Sequence, residues 1–483
     1  MNFKIVSYIL GWVLKLEAIF MVIPMLISLF LNEGTWPAFM IAILVALIPG
    51  LLLSKRDLKT GNFYIREGYA ATALSWIVMS LVGALPFFLS HRIPNYIDAF
   101  FEICSGFTTT GSSILSDVEA LGKGLLFWRS FSHWLGGMGV LVLLLAILPM
   151  TGGYHMQFMK AESPGPSVSK LVPRTSDTAK VLYTIYLLMT VLMIVTYLVS
   201  GMPFYDAVCI GFGTAGTGGF AVRNSGMADY GIASQILITI WMILFGVNFN
   251  IWYLVIRGKG KDALKSEEVR AYLGYIAVVI LIIFLLVRFN TYPEKSAFYS
   301  FHNTAFTVAS IISTTGFATV DFDVWPELAK VLLLMTMVLG ACAGSTGGGM
   351  KVSRVILLIK QGFRELRILF HPQSVSIVHF DKKPVEHTVI RSVNDFLIFY
   401  ILAAIGSLLL ISIDGFDLET NISAVLATLN NIGPGLGKVG PTLNYSEYSY
   451  FSKLILSFNM LAGRLELLPM LLLFYTKTWT RHH

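Results

Sequence analysis

The sequence predicts an all-α polytopic membrane protein: ten transmembrane helices, arranged as four pseudo-symmetric helix–pore loop–helix repeats around a central pore plus an N-terminal helix pair. Three observations lead to this fold class: an apolar composition, ten apolar stretches, and one unit that occurs four times. Of the 483 residues, 55% are hydrophobic and 13% are charged, whereas soluble domains carry about 25% charged residues. So few charges cannot cover the surface of a soluble enzyme, which is therefore excluded.

The ten apolar stretches account for nearly half of the chain. A helix needs about 20 apolar residues to cross the hydrocarbon core of a bilayer. The stretches are Val6–Leu31, Trp36–Ser54, Tyr69–Ser90, Leu125–Met150, Val181–Ser200, Ile232–Ile256, Tyr272–Phe289, Leu328–Leu358, Phe396–Ile413 and Phe451–Tyr475. Leu328–Leu358 is longer than one span and is interrupted by glycines, so a broken helix is expected there.

Lysine and arginine residues are concentrated in every second connection. The loops after spans two, four, six and eight (55–66, 151–180, 257–270 and 351–391) hold 21 of the 35 basic residues. Cytoplasmic loops of membrane proteins carry such an excess. The sequence therefore predicts a multi-pass protein of the cell membrane with both termini in the cytoplasm. The net charge of +7 then reflects topology, and membrane lipid rather than nucleic acid is the expected contact.

Each of the other connections contains a second, shorter apolar segment. These segments are Ile97–Phe107, Phe204–Phe212, Phe298–Ile312 and Ile422–Leu429. At roughly 8 to 15 residues they are too short to span. Length alone leaves two interpretations open, a re-entrant half-helix or an amphipathic helix lying in the outer interface.

A glycine-containing turn follows each short segment and favours the re-entrant interpretation. The turn glycines align as Gly111, Gly218, Gly316 and Gly433, at intervals of about 100 residues, which indicates an internal repeat. The predicted organisation is an N-terminal transmembrane helix pair (1–65) followed by repeats at 66–165, 166–265, 266–385 and 386–483. The third repeat contains a glycine-rich intramembrane loop.

The four turns predict a ring of backbone carbonyl groups around a cation. Irregular backbone is tolerated at membrane depth only where it is buried or lines a water-filled cavity. Carbonyl oxygens can replace the hydration shell of an ion, glycine permits the positive φ that aims them, and half-helix C-termini favour a cation. The candidate filter residues are Thr109, Thr110, Gly111, Gly216, Thr217, Gly218, Thr314, Thr315, Gly316, Asn431, Ile432 and Gly433. Any one such turn alone more often marks helix packing.

The glycine-rich part of the eighth stretch is a candidate gate. Glycine costs about 1 kcal/mol relative to alanine inside a helix, so a helix should break here. The break is either a tightly packed kink or a loop below the filter that moves to open the path. The candidate gate residues are Gly340, Gly344, Ser345, Thr346, Gly347, Gly348, Gly349 and Arg464.

Arg464 lies deep inside the last apolar stretch. An arginine at the centre of a span costs at least about 2.5–3.5 kcal/mol and faces protein or water. Two interpretations stay open. The side chain either pairs with Glu466 or another helix's carbonyl groups for structural reasons, or projects toward the pore, where its charge raises the barrier for cations.

These residues resemble the bacterial Trk/Ktr potassium transporter superfamily over essentially the whole chain. Besides the four turns, the matching motifs include Gly136-Gly137-Met138-Gly139, the run from Gly340 to Gly349, and Asn459–Glu466. The extra N-terminal helix pair is similar to the TrkH-like membrane subunits of this superfamily. The second and fourth turns depart from Thr-Thr-Gly, which weakens the exact symmetry more than the mechanism, because backbone carbonyl groups do not depend on the side chain.

The resemblance implies potassium uptake through a carbonyl-lined filter, with potassium held at the filter residues. It also implies a homodimer with a pore in each subunit. A cytoplasmic ring of TrkA-like subunits would control opening, and a nucleotide (ATP/ADP or NAD/NADH) would bind only to that partner. No covalently bound cofactor and no enzymatic activity are expected. Sodium-preferring members commonly carry serine at the first filter glycine, so Gly111 favours potassium.

A coupled symporter and a membrane enzyme are the two alternative classes of function. A symporter coupling potassium or sodium to protons or sodium would use the helix breaks as midplane binding sites. Such transporters usually show inverted halves and intramembrane acidic residues, whereas here the repeats keep one orientation and mid-span carboxylates are scarce. A membrane enzyme would need a catalytic constellation, and no nucleophile–base set, H-E-x-x-H helix or P-loop is present.

Overall fold

The computed structural model describes residues 1–55, 65–139, 175–373 and 376–479, and within these ranges the chain is mostly helical. Its one sheet in these ranges is an antiparallel hairpin of His379–Phe380 and Lys383–Pro384. The α-helices are Phe3–Phe30, Trp36–Ser54, Ile65–Gly83, Leu85–Leu89, Tyr96–Phe107, Lys123–Gly137, Thr175–Val199, Phe204–Gly216, Ile232–Phe245, Phe249–Ile256, Gly260–Ala263, Glu267–Asn290, Ala297–Ile312, Glu327–Leu339, Val352–Phe370, His387–Ile411, Leu418–Leu429, Tyr450–Arg464 and Leu468–Phe474. Short 3₁₀ turns occupy Glu119–Leu121, Ser412–Asp414, Gly437–Val439 and Thr476–Thr478.

Six helical stretches of the described chain are long and apolar enough to cross a membrane. They are Phe3–Phe30, Trp36–Ser54, Arg66–Leu89, Thr178–Val199, Glu267–Asn290 and His387–Asp414. Their outward faces carry exposed apolar side chains such as Val191 and Leu409, with 53% and 70% of their surface accessible. Exposed apolar surface on spanning helices is what lipid tails cover, so the chain is a multi-pass membrane protein.

Three of the four remaining predicted spans are interrupted in the structure. Ile232–Phe245 and Phe249–Ile256 meet at an angle of 98°, and Leu328–Leu358 is broken between Leu339 and Val352, as its glycines predicted. The last stretch is broken after Arg464, because Glu466 and Leu467 adopt positive φ of 56° and 69°. The fourth span beyond residue 139, loop 151–180 up to residue 174 and most of loop 55–66 lie outside the described residues. The count of ten spans, the repeat boundaries and the topology therefore stay predictions.

The four short apolar segments form helices of 12 to 16 residues: Tyr96–Phe107, Phe204–Gly216, Ala297–Ile312 and Leu418–Leu429. At 1.5 Å per residue these reach about 18 to 24 Å, less than the hydrocarbon thickness. Three begin at side-chain caps, because Asn95, Ser296 and Asp417 accept hydrogen bonds from backbone N–H groups of the first turn at 2.8–3.1 Å. We call them the first to fourth half-helices.

Polar residues are buried where the half-helices end. Every residue from Phe101 to Thr110 is buried, as is every residue from Phe306 to Thr315. These buried stretches contain serine and threonine, while the lipid-facing helices expose leucine, isoleucine and valine. The protein thus places polar groups at its centre and apolar groups outside, and the half-helices point their C-termini into that centre.

Candidate functional site

All four half-helices end in the same backbone motif. In each, one residue adopts the left-handed conformation, and the N–H of the next residue donates to a carbonyl oxygen five positions earlier, which defines a Schellman ending. The left-handed residues are Thr109, Thr217, Thr314 and Asn431, with φ between 54° and 59°. The closing bonds are Thr110 to Ser105, Gly218 to Gly213, Thr315 to Ser310 and Ile432 to Ala427, at 2.7–2.9 Å. Left-handed non-glycine residues are uncommon, so this agreement sets the register of the four turns.

A glycine with positive φ follows two positions after each left-handed residue. These glycines are Gly111, Gly219, Gly316 and Gly433, with φ of 82°, 78°, 81° and 100°. The equivalent of Gly111 in the second turn is therefore Gly219, and the spacing-based alignment with Gly218 was one residue early. Gly216 is the last residue of its half-helix, equivalent to Thr108. Spacing alone could not choose among three nearby glycines, whereas the backbone torsions do. The four turns are defined below as 108–111, 216–219, 313–316 and 430–433.

The four turns pack against one another in a closed cycle. A Cβ atom built on Gly111 would lie 2.1 Å from the carbonyl oxygen of Gly218, and one on Gly219 would lie 1.9 Å from that of Thr315. The cycle continues from the third turn to the fourth and from the fourth back to the first. The two corresponding pairs are Gly316 with the Ile432 oxygen at 1.9 Å and Gly433 with the Thr110 oxygen at 2.7 Å. Each position thus requires glycine for two reasons. Its φ is positive, and a Cβ atom would clash with the carbonyl oxygen of the neighbouring turn.

Side chains tie the fourth turn to the first. The Asn431 side-chain amide donates to the hydroxyl of Thr110 at 2.9 Å and to the carbonyl oxygen of Met460 at 2.9 Å. Ser112 and Tyr445 both donate to the carbonyl oxygen of Gly433, at 3.2 and 2.7 Å. Asparagine in the fourth turn therefore has a packing reason, since threonine lacks the amide donors that make these two bonds.

His133 supports the second turn, a role that no feature of the sequence signalled. Its Nε2 accepts a hydrogen bond from the N–H of Phe220 at 3.2 Å, which leaves Nδ1 as the donor to the carbonyl oxygen of Gly106 at 2.8 Å. A Cβ atom on Gly218 would lie 2.3 Å from the imidazole ring. The extra glycine of the second turn thus makes room for His133, which links the first half-helix to that turn.

A buried ion pair stabilises the chain segments that follow the first and second turns. Glu102 accepts from Arg129 Nε at 2.6 Å and from the N–H of Ile114 at 2.9 Å. Arg129 also donates to the carbonyl oxygen of Ala221 at 2.9 Å and lies 3.5 Å from the centre of the Phe220 ring. The two side chains are at most 3% exposed. One pair therefore fixes the chain segments that leave both turns.

The glycine-rich segment, residues 340–351, lies against the third and fourth turns. The N–H of Gly348 donates to the Thr314 hydroxyl at 2.6 Å, and that of Gly349 donates to the carbonyl oxygen of Asn430 at 3.1 Å. A Cβ atom on Gly348 would lie 2.1 Å from the same Asn430 oxygen, and one on Gly347 would lie 2.9 Å from the Ser313 oxygen. Only glycine allows this approach, so the segment meets the turns on the side where the half-helices end.

The segment folds back on itself between its two helices. Met350 and Lys351 donate to the carbonyl oxygens of Val338 and Leu339 at 3.0 Å. A Cβ atom on Gly340, which has φ of 67°, would lie 2.7 Å from the Cα atom of Gly349. Ser345 Oγ donates locally to the Cys342 carbonyl oxygen at 2.6 Å. The carbonyl oxygen of Gly344 accepts from the N–H of Phe249, on a different helix, at 2.9 Å. The segment is therefore compactly folded.

Arg464 reaches from the end of helix Tyr450–Arg464 to the glycine-rich segment and to the first turn. Its guanidinium donates to the carbonyl oxygen of Thr346 at 2.7 Å and to the Thr109 hydroxyl at 3.2 Å. It also donates to the carbonyl oxygens of Gly136 and Gly137, at 2.6 and 2.5 Å. Glu466, the partner considered from the sequence, forms its ion pair with Arg354 instead. Arg464 therefore lies beside the cycle of turns and is hydrogen-bonded both to the first turn and to the glycine-rich segment.

The chemistry of this site is that of neutral oxygen atoms. The four turns contribute carbonyl and hydroxyl oxygens and no carboxylate. Among the described residues, no cluster of three or more His, Cys, Asp or Glu side chains could hold a metal ion. A ring of neutral oxygens suits a weakly hydrated monovalent cation, whereas divalent cation sites are typically built on carboxylates.

The fold and the site together define a polytopic membrane protein in which four half-helices end in turns that pack into one ring. The sequence profile of the TrkH family, described as cation transport protein, matches residues 36–480. The chain belongs to the TrkH family. The family comprises membrane transporters rather than enzymes.

Individual relatives match over nearly their whole length. The Trk system potassium uptake protein TrkH of Escherichia coli (strain K12) is 37% identical over 99% of this chain and 100% of its own. The Trk system potassium uptake protein TrkG of the same strain is 31% identical over 99% and 98%. The crystal structure of the potassium transporter TrkH from Vibrio parahaemolyticus superposes with a TM-score of 0.88, at 34% identity, over 99% of this chain and 100% of that one.

Proposed function

We propose that this protein carries potassium into the cell through the ring formed by its four turns. The observation that carries the proposal is the closed cycle in which each turn glycine faces a carbonyl oxygen of the next turn. The similarity to Trk system potassium uptake proteins supports potassium as the substrate. Coupled symport, the alternative raised from the sequence, is favoured by no observation and is not proposed.

Carbonyl oxygens of the turns would replace the water shell of the ion as it passes. The αL-then-glycine backbone repeated in the four turns gives successive carbonyl groups a shared direction, and the half-helix C-termini add partial negative charge. The filter is assigned to Thr109, Thr110 and Gly111, to Thr217, Gly218 and Gly219, to Thr314, Thr315 and Gly316, and to Asn431, Ile432 and Gly433. In this assignment Gly219 replaces Gly216 of the sequence-based set.

The glycine-rich segment would act as the gate, and Arg464 would stabilise its closed position. Support comes from the contacts of Gly348 and Gly349 with the third and fourth turns, and from the bond between Arg464 and Thr346. Displacing the segment from the turns would open the path of the ion next to the ring. A segment that served only as a packed kink would not require the cationic side chain of Arg464 at Thr346.

The assembly proposed is a homodimer on a cytoplasmic ring of TrkA-like nucleotide-binding subunits, with both chain termini in the cytoplasm. Membership in the family of Trk system membrane subunits supports a cytoplasmic regulatory partner. The nucleotide would act only through that partner. The basic loops 257–270 and 351–391 are consistent with a cytoplasmic face.

Ion flux into liposomes that contain the purified protein tests the proposal. Potassium and rubidium should pass far faster than sodium and lithium, because neutral carbonyl oxygens replace the water shell of a weakly hydrated ion more readily than that of a strongly hydrated one. Equal flux of all four ions would contradict a selective ring. Flux that stops without a proton or sodium gradient would support the symporter instead.

A pair of serine variants assigns the selectivity to the ring. Gly111→Ser should reduce the preference for potassium over sodium, because the added side chain meets the Gly218 oxygen. Gly274→Ser is the matched control, since nothing lies within 4 Å of a Cβ atom at that position. Both variants should elute as monodisperse protein. An unchanged preference in Gly111→Ser would remove the first turn from the filter.

A further inference from the structure

One oxygen atom of Glu268 bonds to the chain on both sides of the residues of the glycine-rich segment that contact the turns. Glu268 is the second residue of helix Glu267–Asn290 and is 4% exposed. Its Oε1 accepts a hydrogen bond from the N–H of Ala343 at 2.7 Å and another from the N–H of Ser353 at 3.2 Å. These two donors bracket most of the segment that contacts the turns. A third helix therefore closes the segment into a loop.

The bond to Ser353 also completes the start of the next helix. Helix Val352–Phe370 begins after Lys351, whose side chain provides no cap. The first N–H groups of a helix lack partners within it and favour a negative charge nearby. Glu268 supplies that charge from a different helix. Its carboxylate consequently acts as a cap only while the segment keeps its present shape.

The preceding residue, Glu267, bonds to the cytoplasmic hairpin. Its N–H donates to Asp381 Oδ1 at 2.7 Å, and its Oε2 accepts from the N–H of Asp381 at 3.3 Å. Its other oxygen pairs with Lys360, whose Nζ donates to the carbonyl oxygen of His379 at 2.8 Å. Asp381 and Lys382 both have positive φ, as a tight two-residue hairpin turn requires. Two adjacent residues thus contact different structures: Glu267 bonds to the hairpin turn, and Glu268 bonds to the glycine-rich segment.

We propose that Glu268 is a positioning residue that clasps the glycine-rich segment shut, and that Glu267 couples this clasp to the hairpin 379–384. Moving the hairpin would shift the start of helix Glu267–Asn290 and withdraw the carboxylate from Ala343 and Ser353. This inference rests on the proposed role of the segment as the gate. It names the route by which a contact on the cytoplasmic face reaches that gate.

Hydrogen–deuterium exchange of the purified full chain tests the clasp independently of transport. Glu268→Ala should raise exchange severalfold in peptides that contain Ala343 and Ser353. Glu268→Gln keeps an oxygen acceptor in the same place and should stay close to the unsubstituted protein. Glu294→Ala, at an exposed carboxylate just past the opposite end of helix Glu267–Asn290, is the control. Unchanged exchange in Glu268→Ala would overturn the clasp.

Potassium flux in liposomes then tests whether the clasp controls the gate. Glu268→Ala should increase basal flux severalfold with an unchanged preference for potassium over lithium, and Glu268→Gln should restore low flux. Faster exchange without any change of flux would leave the clasp standing and overturn the gate role of the segment. The two failures are therefore distinguishable.

The coupling to the hairpin has its own variant pair. Asp381→Ala removes the acceptor for the Glu267 N–H, and Asp381→Asn retains one. Asp381→Ala should raise exchange at Ala343 and Ser353 in the same direction as Glu268→Ala, and should add little when the two are combined. Raised exchange in the hairpin alone, with the segment unaffected, would overturn the coupling.

Discussion

Arg464 donates a hydrogen bond to the carbonyl oxygen of Thr346 at 2.7 Å, joining helix Tyr450–Arg464 to the glycine-rich segment. The same guanidinium also reaches the Thr109 hydroxyl and the carbonyl oxygens of Gly136 and Gly137. The planar fork of an arginine side chain can serve several acceptors at once. One side chain thus connects the segment, the first turn and the helix that follows it.

Arg464→Ala should increase cation flux by about tenfold or more. Hydrogen bonds from charged donors contribute about 1.5–3 kcal/mol, and 1.4 kcal/mol changes a population tenfold. The positive charge beside the ring disappears as well. Flux of potassium and rubidium into liposomes measures the effect.

Arg464→Lys separates charge from hydrogen bonding in this prediction. Lysine keeps the charge but presents a single ammonium group, which cannot match the four acceptors of the guanidinium. Intermediate flux is expected if the bond to Thr346 fastens the segment. A decrease of flux in Arg464→Ala would contradict the proposed role.

The register of the second turn can be tested with alanine at its two neighbouring glycines. Gly219→Ala should abolish transport, because the residue has positive φ and its Cβ would lie 1.9 Å from the Thr315 oxygen. Gly218→Ala should also impair transport, but for a different reason: its Cβ atom would lie 2.3 Å from the imidazole ring of His133. In a His133→Ala background, alanine at 218 should therefore add little, while alanine at 219 should remain severe. Rubidium uptake and elution profiles report both effects.

The same double-mutant comparison decides between the two alignments. If Gly218 were the equivalent of Gly111, shortening His133 would not relieve alanine at 218, and Gly219→Ala would be the milder change. That outcome would restore the alignment taken from sequence spacing.

Alanine at Gly348 should change flux without changing ion preference. Its Cβ atom would lie 2.1 Å from the Asn430 oxygen, so the segment must move away from the fourth turn. Gly362→Ala is the matched control in the helix that follows, since nothing lies within 4 Å of a Cβ atom there. Equal flux in the two variants would mean that the segment does not control the path, and a changed potassium-to-sodium ratio would place Gly348 in the filter itself.

Much of this architecture was predictable because apolar length and turn chemistry are local signals. The positions of the half-helices followed from short apolar runs, although the second extends to Gly216 and the fourth begins at Leu418, beyond the predicted segments. The break after Leu339 followed from clustered glycines. The equivalence of Gly219 with Gly111 did not follow, because three glycines at 216, 218 and 219 satisfy the same spacing and only backbone torsions distinguish them. The bridging role of His133 and the clasp of Glu268 join residues that are 87 and 75 positions from Phe220 and Ala343. Such contacts are set by tertiary packing, which one sequence does not display.

The buried pair of Glu102 and Arg129 should contribute strongly to stability. Removing one member of a buried ion pair leaves an uncompensated charge and costs about 3–5 kcal/mol, so Glu102→Gln and Arg129→Met should each lower the apparent Tm of the detergent-solubilised protein markedly. The double variant should lose less than the sum of both, because no charge remains unpaired. Asp262→Asn is the control, since the Asp262–Lys265 pair has side chains 58% and 75% exposed and such pairs contribute about 0–1 kcal/mol. A Glu102→Gln protein as stable as Asp262→Asn would show that the pair does not brace the first two turns.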